Sequence, residues 1–130
     1  MNVSYLCVGI AFLLLYLTKI PVAIAMQRQP GGYDNGYPRD QEARLEGWGR
    51  RAYAAHQNAF ESFAPFAAAV ILANLAHANP LWTSRLALAF VLARVLYTAC
   101  YLAGLASLRS AIWMIGILAT GALFVLSLQP

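Results

Sequence analysis

Residues Arg50 to Ala76 read RRAYAAHQNAFESFAPFAAAVILANLA, and the reading of this stretch decides the fold. Its second half is apolar enough for hydrocarbon, yet Arg51, His56, Asn58 and Glu61 lead straight into it. Ionisable groups are costly inside a membrane helix and are kept where they face a partner or a cavity. At about 100° per residue, Arg51, Asn58 and Glu61 fall on one side of a helix, with Ala54 and Pro65 between and above them. The stretch is therefore a membrane helix with one polar stripe, and the remaining chain is the scaffold that buries it.

Composition supports that frame. Of 130 residues, 61% are hydrophobic and 11% charged, against about 25% charged in soluble domains, and the mean hydropathy is +0.59. The expectation is an all-α integral membrane protein, one domain over residues 1–130. The net charge of +4 rests on few groups, and most of the charged side chains lie in or beside one loop, which makes the charge a topology signal rather than a nucleic-acid footprint. Cys7 and Cys100 lie in apolar runs and read as small hydrophobes. His56 has no second His or Cys at metal spacing, so no metal is expected. Neither a glycine-rich phosphate loop nor a Ser/His/Asp set is supported.

Outward from the opening stretch, four spans follow, at about residues 3–25, 50–77, 82–102 and 109–128. In the first, no positive charge precedes the apolar run and Lys19 follows it, the reverse of a secretory signal's order. It is read as a retained span, with Lys19 snorkelling to the interface. Residues 28–49 carry Pro-Gly-Gly and Asp-Asn-Gly turn signals and form a loop outside the hydrocarbon, helical from Gln41 onward. The short connection 103–108 forces the last two helices into an antiparallel hairpin. Arg28, Arg50, Arg51 and Arg109 flank the spans on the loop side, whereas the other side offers only Arg85. The positive-inside bias puts the loop in the cytoplasm and both termini outside. For a bacterial inner membrane, that means periplasmic termini.

The third span holds a second stripe. Arg94, Tyr97 and Tyr101 recur at i, i+3 and i+7 on one face. Glu61 and Arg94 would suffice as an ion pair that only holds helices together. The surplus of Arg51, His56, Asn58, Tyr97, Tyr101 and Arg109 at the same end suits a cleft for a charged, hydrogen-bonding small molecule. His56 lies roughly 140° from Arg51 around the helix, so a packed or interfacial histidine fits as well as a ligand. Tyr101 also fits as a belt aromatic at the membrane interface.

Arg51, Asn58-x-x-Glu61, Pro65-Phe66, Arg94-x-x-Tyr97-x-x-x-Tyr101 and Leu108-Arg109-Ser110, in that order, resemble the membrane-associated proteins in eicosanoid and glutathione metabolism (MAPEG), of the bacterial type. The resemblance implies a bundle of four transmembrane helices assembled as a homotrimer, with glutathione as co-substrate between neighbouring subunits at the cytoplasmic face. It further implies that Asn58 and Glu61 hold the tripeptide's polar and amino groups, that Tyr97 and Tyr101 contact it from the third helix, and that Arg109 and Ser110 sit beside the thiol. Arg28 would reach glutathione from the adjacent subunit, and His56 stands where members carry histidine or glutamine. Arg51 and Arg94 complete the expected binding set.

The activity implied is glutathione transfer or peroxide reduction on lipophilic compounds arriving from the bilayer. Two positions depart from the pattern. Ala54 replaces a further arginine, a loss of one charge-assisted contact worth roughly 1.5 to 3 kcal/mol, and Ser62 replaces an aromatic. The alternative is a non-catalytic binder of lipid or of a partner membrane protein. A third reading, a transporter using Glu61 as its cation site, needs access from both sides, which the one-sided clustering of polar groups opposes.

Overall fold

The computed structural model describes residues 2–129 and is all-helical over them. The first span is two helices in line, α1 (Val3–Leu17) and α2 (Lys19–Gln27). The Asn2 side chain caps α1 by accepting from the Ser4 N–H at 3.0 Å. The break at Thr18 has a local cause. Pro21 has no N–H to give the Leu17 carbonyl, and the Thr18 hydroxyl donates to the Leu15 carbonyl at 3.0 Å.

After α2, Gly31 and Gly32 take φ of 87° and 73°, a left-handed turn open to glycine at little cost. The chain then folds back as α3 (Pro38–Ala43), which begins before the Gln41 expected from sequence and ends at Arg44. The Gln41 amide fixes this loop: its Nε2 donates to the Met26 and Gly32 carbonyls, and its Oε1 accepts from the Asp34 N–H. Glu42, also buried, pairs with Lys19. Lys19 is therefore tied to the loop rather than extended to the interface.

Three long helices complete the bundle: α4 (Gly47–Leu75), α5 (Pro80–Ala103) and α6 (Ala106–Ser127). Together with Val3–Gln27 they make four segments long and apolar enough to cross a membrane. Two short turns make successive helices antiparallel. At the first, the Asn79 side chain accepts from the Leu81 and Trp82 N–H groups, capping α5. At the second, Gly104 and Leu105 donate back to the Tyr101 and Cys100 carbonyls, a Schellman closure with Gly104 at φ 76°.

The core is built from small residues and two phenyl rings. Ala11, Ala69, Ala73, Ala87 and Ala119 are buried around Phe66 and Phe90, whose rings stack at 3.8 Å. Alanine at these positions lets backbones approach closely, the packing that holds helices together where lipid removes the hydrophobic drive. Among the glycines the tightest approach is at Gly49 on α4, where an added Cβ would lie 2.9 Å from Ala25 Cβ on α2. Pro65 interrupts α4 one turn after Glu61 and leaves the Glu61 carbonyl without its helical donor. The polar stripe thus sits at a weakened turn of the helix that carries it.

Candidate functional site

The stripes on α4 and α5 meet through an amide. Arg94 Nη2 donates to Asn58 Oδ1 at 2.8 Å, and Asn58 Nδ2 donates to Glu61 Oε2 at 3.1 Å. The direct Glu61–Arg94 pair entertained from sequence is replaced by this relay, and the ion pair found among the described residues is Lys19–Glu42. Asn58 suits the role because one amide both accepts and donates, whereas a second carboxylate would only accept. Arg94 is buried at 6% exposure, while Glu61 is exposed. The relay therefore leads from the bundle interior to its surface.

Asn58, Glu61 and Arg94 open onto a cavity of about 190 Å³ between α4, α5 and α6. Its other walls are Ser62, Pro65, Phe90, Trp113, Gly116, Ile117 and Thr120. Beyond Arg109 and Ser110, the α6 wall was not expected from sequence, because that helix carries no charge after its first turn. The signal was nonetheless there, since Arg109, Trp113, Gly116 and Thr120 recur at i, i+4, i+7 and i+11 on one helical face.

A chain of aromatic contacts continues from the relay toward the α5–α6 turn. The Arg94 guanidinium lies 4.3 Å from the centre of the Tyr97 ring. Tyr97 meets Tyr101 edge to face at 5.5 Å, and the Arg109 guanidinium lies 4.3 Å over the Tyr101 ring. Both contacts are in cation–π range. Ser110 is exposed, and its hydroxyl donates to the Ala106 carbonyl at 3.1 Å.

Arg51 reaches the same end of the bundle. Its guanidinium packs at the Gly104 turn, 3.8 Å from where a side chain there would begin, and its Nε is buried with no hydrogen-bond partner. A buried donor without a partner is a place where a ligand oxygen gains a bond that the protein alone does not make. Arg50 instead donates to the Ala43 carbonyl at the end of α3.

Two expected residues lie apart from this group. His56 faces α1, with Nδ1 3.0 Å from the Thr18 hydroxyl and its ring edge-on to Phe60. Arg28 is exposed at the end of α2, where its backbone caps that helix.

Among curated proteins, none matches the chain. The MAPEG family model matches residues 3–129, covering all four spans and both polar stripes, and the chain belongs to the MAPEG family, an integral membrane protein of the group tied to glutathione and eicosanoid metabolism.

Proposed function

We propose that the protein binds glutathione at the α4–α5–α6 cleft and activates its thiol against lipophilic substrates, as a transferase or peroxidase. The observation that carries this reading is the Arg94–Asn58–Glu61 relay facing a cavity, with Arg51 and Arg109 at the same end of the bundle. The residues fit the tripeptide's charges. Glu61 offers a carboxylate to an ammonium group, and the half-buried Arg51 offers a guanidinium to a carboxylate. The co-substrate supplies a thiol. Arg109, in the first turns of α6, stabilises a thiolate and lowers its pKa, aided by the positive end of the helix dipole. Ser110, the next residue of α6 and exposed, supplies a hydroxyl for the same thiol. Tyr97 and Tyr101 hold the two arginines in place through their ring faces.

The reading also calls for assembly. A cavity of about 190 Å³ is below the roughly 300 Å³ at which ligand pockets begin, and Glu61 is exposed within a span. A carboxylate facing lipid there costs about 2.5 to 3.5 kcal/mol. A neighbouring copy that covers Glu61 and enlarges the cleft removes both problems, and a homotrimer with Arg28 contributed by the adjacent subunit supplies one. The arginines Arg28, Arg50, Arg51 and Arg109 at this end support a cytoplasmic orientation for it, which in a bacterial inner membrane goes with periplasmic termini.

The test is the ultraviolet difference spectrum of glutathione thiolate on mixing with purified protein and with Arg109→Ala. A thiolate band at neutral pH, lost in the variant, supports thiol activation. No band at millimolar glutathione overturns it. A second reading, a non-catalytic binder of lipid or of a partner membrane protein, draws on Ala54 and on the apolar share of the wall formed by Pro65, Phe90, Trp113 and Ile117. It expects an apolar ligand to bind equally with and without glutathione.

A further inference from the structure

The end of the bundle opposite the long loop holds one arginine that the glutathione reading does not use. Arg85 is exposed on α5, and its guanidinium lies 5.2 Å from the centre of the Trp82 ring. Trp82 in turn forms one wall of an open groove of about 510 Å³ between the start of α5 and the end of α6, completed by Leu86, Ala122, Val125, Leu126 and Gln129. A fixed cation therefore stands at the mouth of an apolar trough that runs along two membrane-spanning helices.

We propose that this end binds one anionic phospholipid, its phosphate on the Arg85 guanidinium and an acyl chain in the α5–α6 groove. Charge decides the headgroup. All five acidic side chains of the protein lie elsewhere: Asp34, Asp40, Glu42 and Glu46 in or beside the long loop, and Glu61 in the cleft. Among the described residues nothing accepts a hydrogen bond from Arg85, so its donors are free for a phosphate, which a guanidinium meets with two parallel bonds. A zwitterionic headgroup also brings an ammonium, which needs a carboxylate or an open aromatic face. Among the described residues no acidic side chain is at hand, and the nearby Trp82 ring already carries Arg85. A glycerol-type anionic headgroup satisfies the arginine and leaves no cation unmet. The groove walls carry one polar side chain, Gln129, at the outer end, so the trough suits a hydrocarbon chain.

The experiment is native mass spectrometry of the purified full chain in detergent, with equimolar phosphatidylglycerol and phosphatidylcholine added. Wild type is expected to retain phosphatidylglycerol over phosphatidylcholine by about fivefold, the factor that one cation near an anionic headgroup supplies. Arg85→Gln is expected to abolish the preference and Arg85→Lys to keep part of it. Ala122→Phe, which fills the groove, is expected to lower retention of both lipids. Equal retention of the two lipids by wild type, or a preference that survives Arg85→Gln, overturns the proposal. So does an Ala122→Phe variant that keeps its lipid but dissociates into smaller assemblies, since the groove then belongs to a second copy of the chain. None of these readouts depends on glutathione, so the proposal and the thiol reading succeed or fail separately.

Discussion

Arg94 on α5 donates to Asn58 Oδ1 on α4 at 2.8 Å, so the one cation buried among the described residues is held by an amide and not by a carboxylate. The two residues are therefore unequal in what their loss leaves behind. Asn58→Leu strips the acceptor from a buried guanidinium, whereas Arg94→Met removes the charge together with its need for one. We expect Asn58→Leu to cost about 2 to 3 kcal/mol and Arg94→Met less than about 1 kcal/mol, both read by thermal melting in detergent. Equal costs would mean that the guanidinium is solvated from elsewhere. Both variants are expected to lose the glutathione thiolate signal.

The Lys19–Glu42 pair is unequal in the same way. The Glu42 side chain is 5% exposed and that of Lys19 34%. Lys19→Met strands a buried carboxylate, while Glu42→Gln leaves an ammonium free to extend toward water. The pair anchors α3, so local opening of residues 28–46 is the readout. Trypsin cleavage after Arg39 and Arg44 is expected to speed up about tenfold in Lys19→Met and only about threefold in Glu42→Gln, a gap of less than 1.4 kcal/mol. Unchanged cleavage in Lys19→Met would show that Gln41 alone holds the loop.

His56 makes a structural bond in this chain. The Thr18 hydroxyl lies 3.0 Å from both the Leu15 carbonyl and His56 Nδ1, and the His56 tautomer sets which of the two side chains donates. We expect a double-mutant cycle with His56→Leu and Thr18→Val to return a coupling of about 0.5 to 1.5 kcal/mol in thermal stability. The His56→Leu variant is expected to keep the glutathione thiolate signal, since its ring faces α1 and not the cleft. A coupling near zero combined with a lost signal would move His56 into the binding set.

Much of this was readable from the chain because the membrane simplifies the code. Arg51, Asn58 and Glu61 stand out where hydrocarbon penalises them, and the i, i+3, i+7 spacing of Arg94, Tyr97 and Tyr101 marks a face. What stayed hidden depended on rotamers and on contacts between distant segments. Whether Asn58 or Glu61 takes the Arg94 bond is a choice of about one side-chain length, which helical counting does not resolve. The partner of Lys19 lies 23 positions away, across a turn that Gly31 and Gly32 reverse. The α6 wall was missed because Trp113, Gly116 and Thr120 carry no charge to draw attention, although their period matches that of Arg109.

The two turns that reverse the chain between its last three helices use one bonding scheme with different residues, and this gives a sign test. At the second, Gly104 at φ 76° and Leu105 donate to the Tyr101 and Cys100 carbonyls. At the first, His77 at φ 54° and Ala78 donate to the Asn74 and Ala73 carbonyls in the same pattern. A left-handed backbone costs an L-residue roughly 1 to 2 kcal/mol and costs glycine little. His77→Gly therefore removes strain and is expected to raise stability by about 1 kcal/mol, less a few tenths for the freer unfolded chain. Gly104→Ala adds the same strain and is expected to lower stability by about 1 kcal/mol, with Gly104→Asn falling between because asparagine tolerates this conformation. Space does not limit the second turn, since an added Cβ there meets the Arg51 side chain at an ordinary 3.8 Å. If Gly104→Ala instead cost several kcal/mol, the contact with Arg51, and not the backbone, would be what fixes that end of the cleft. The thiolate signal would then fall in step with the melting temperature.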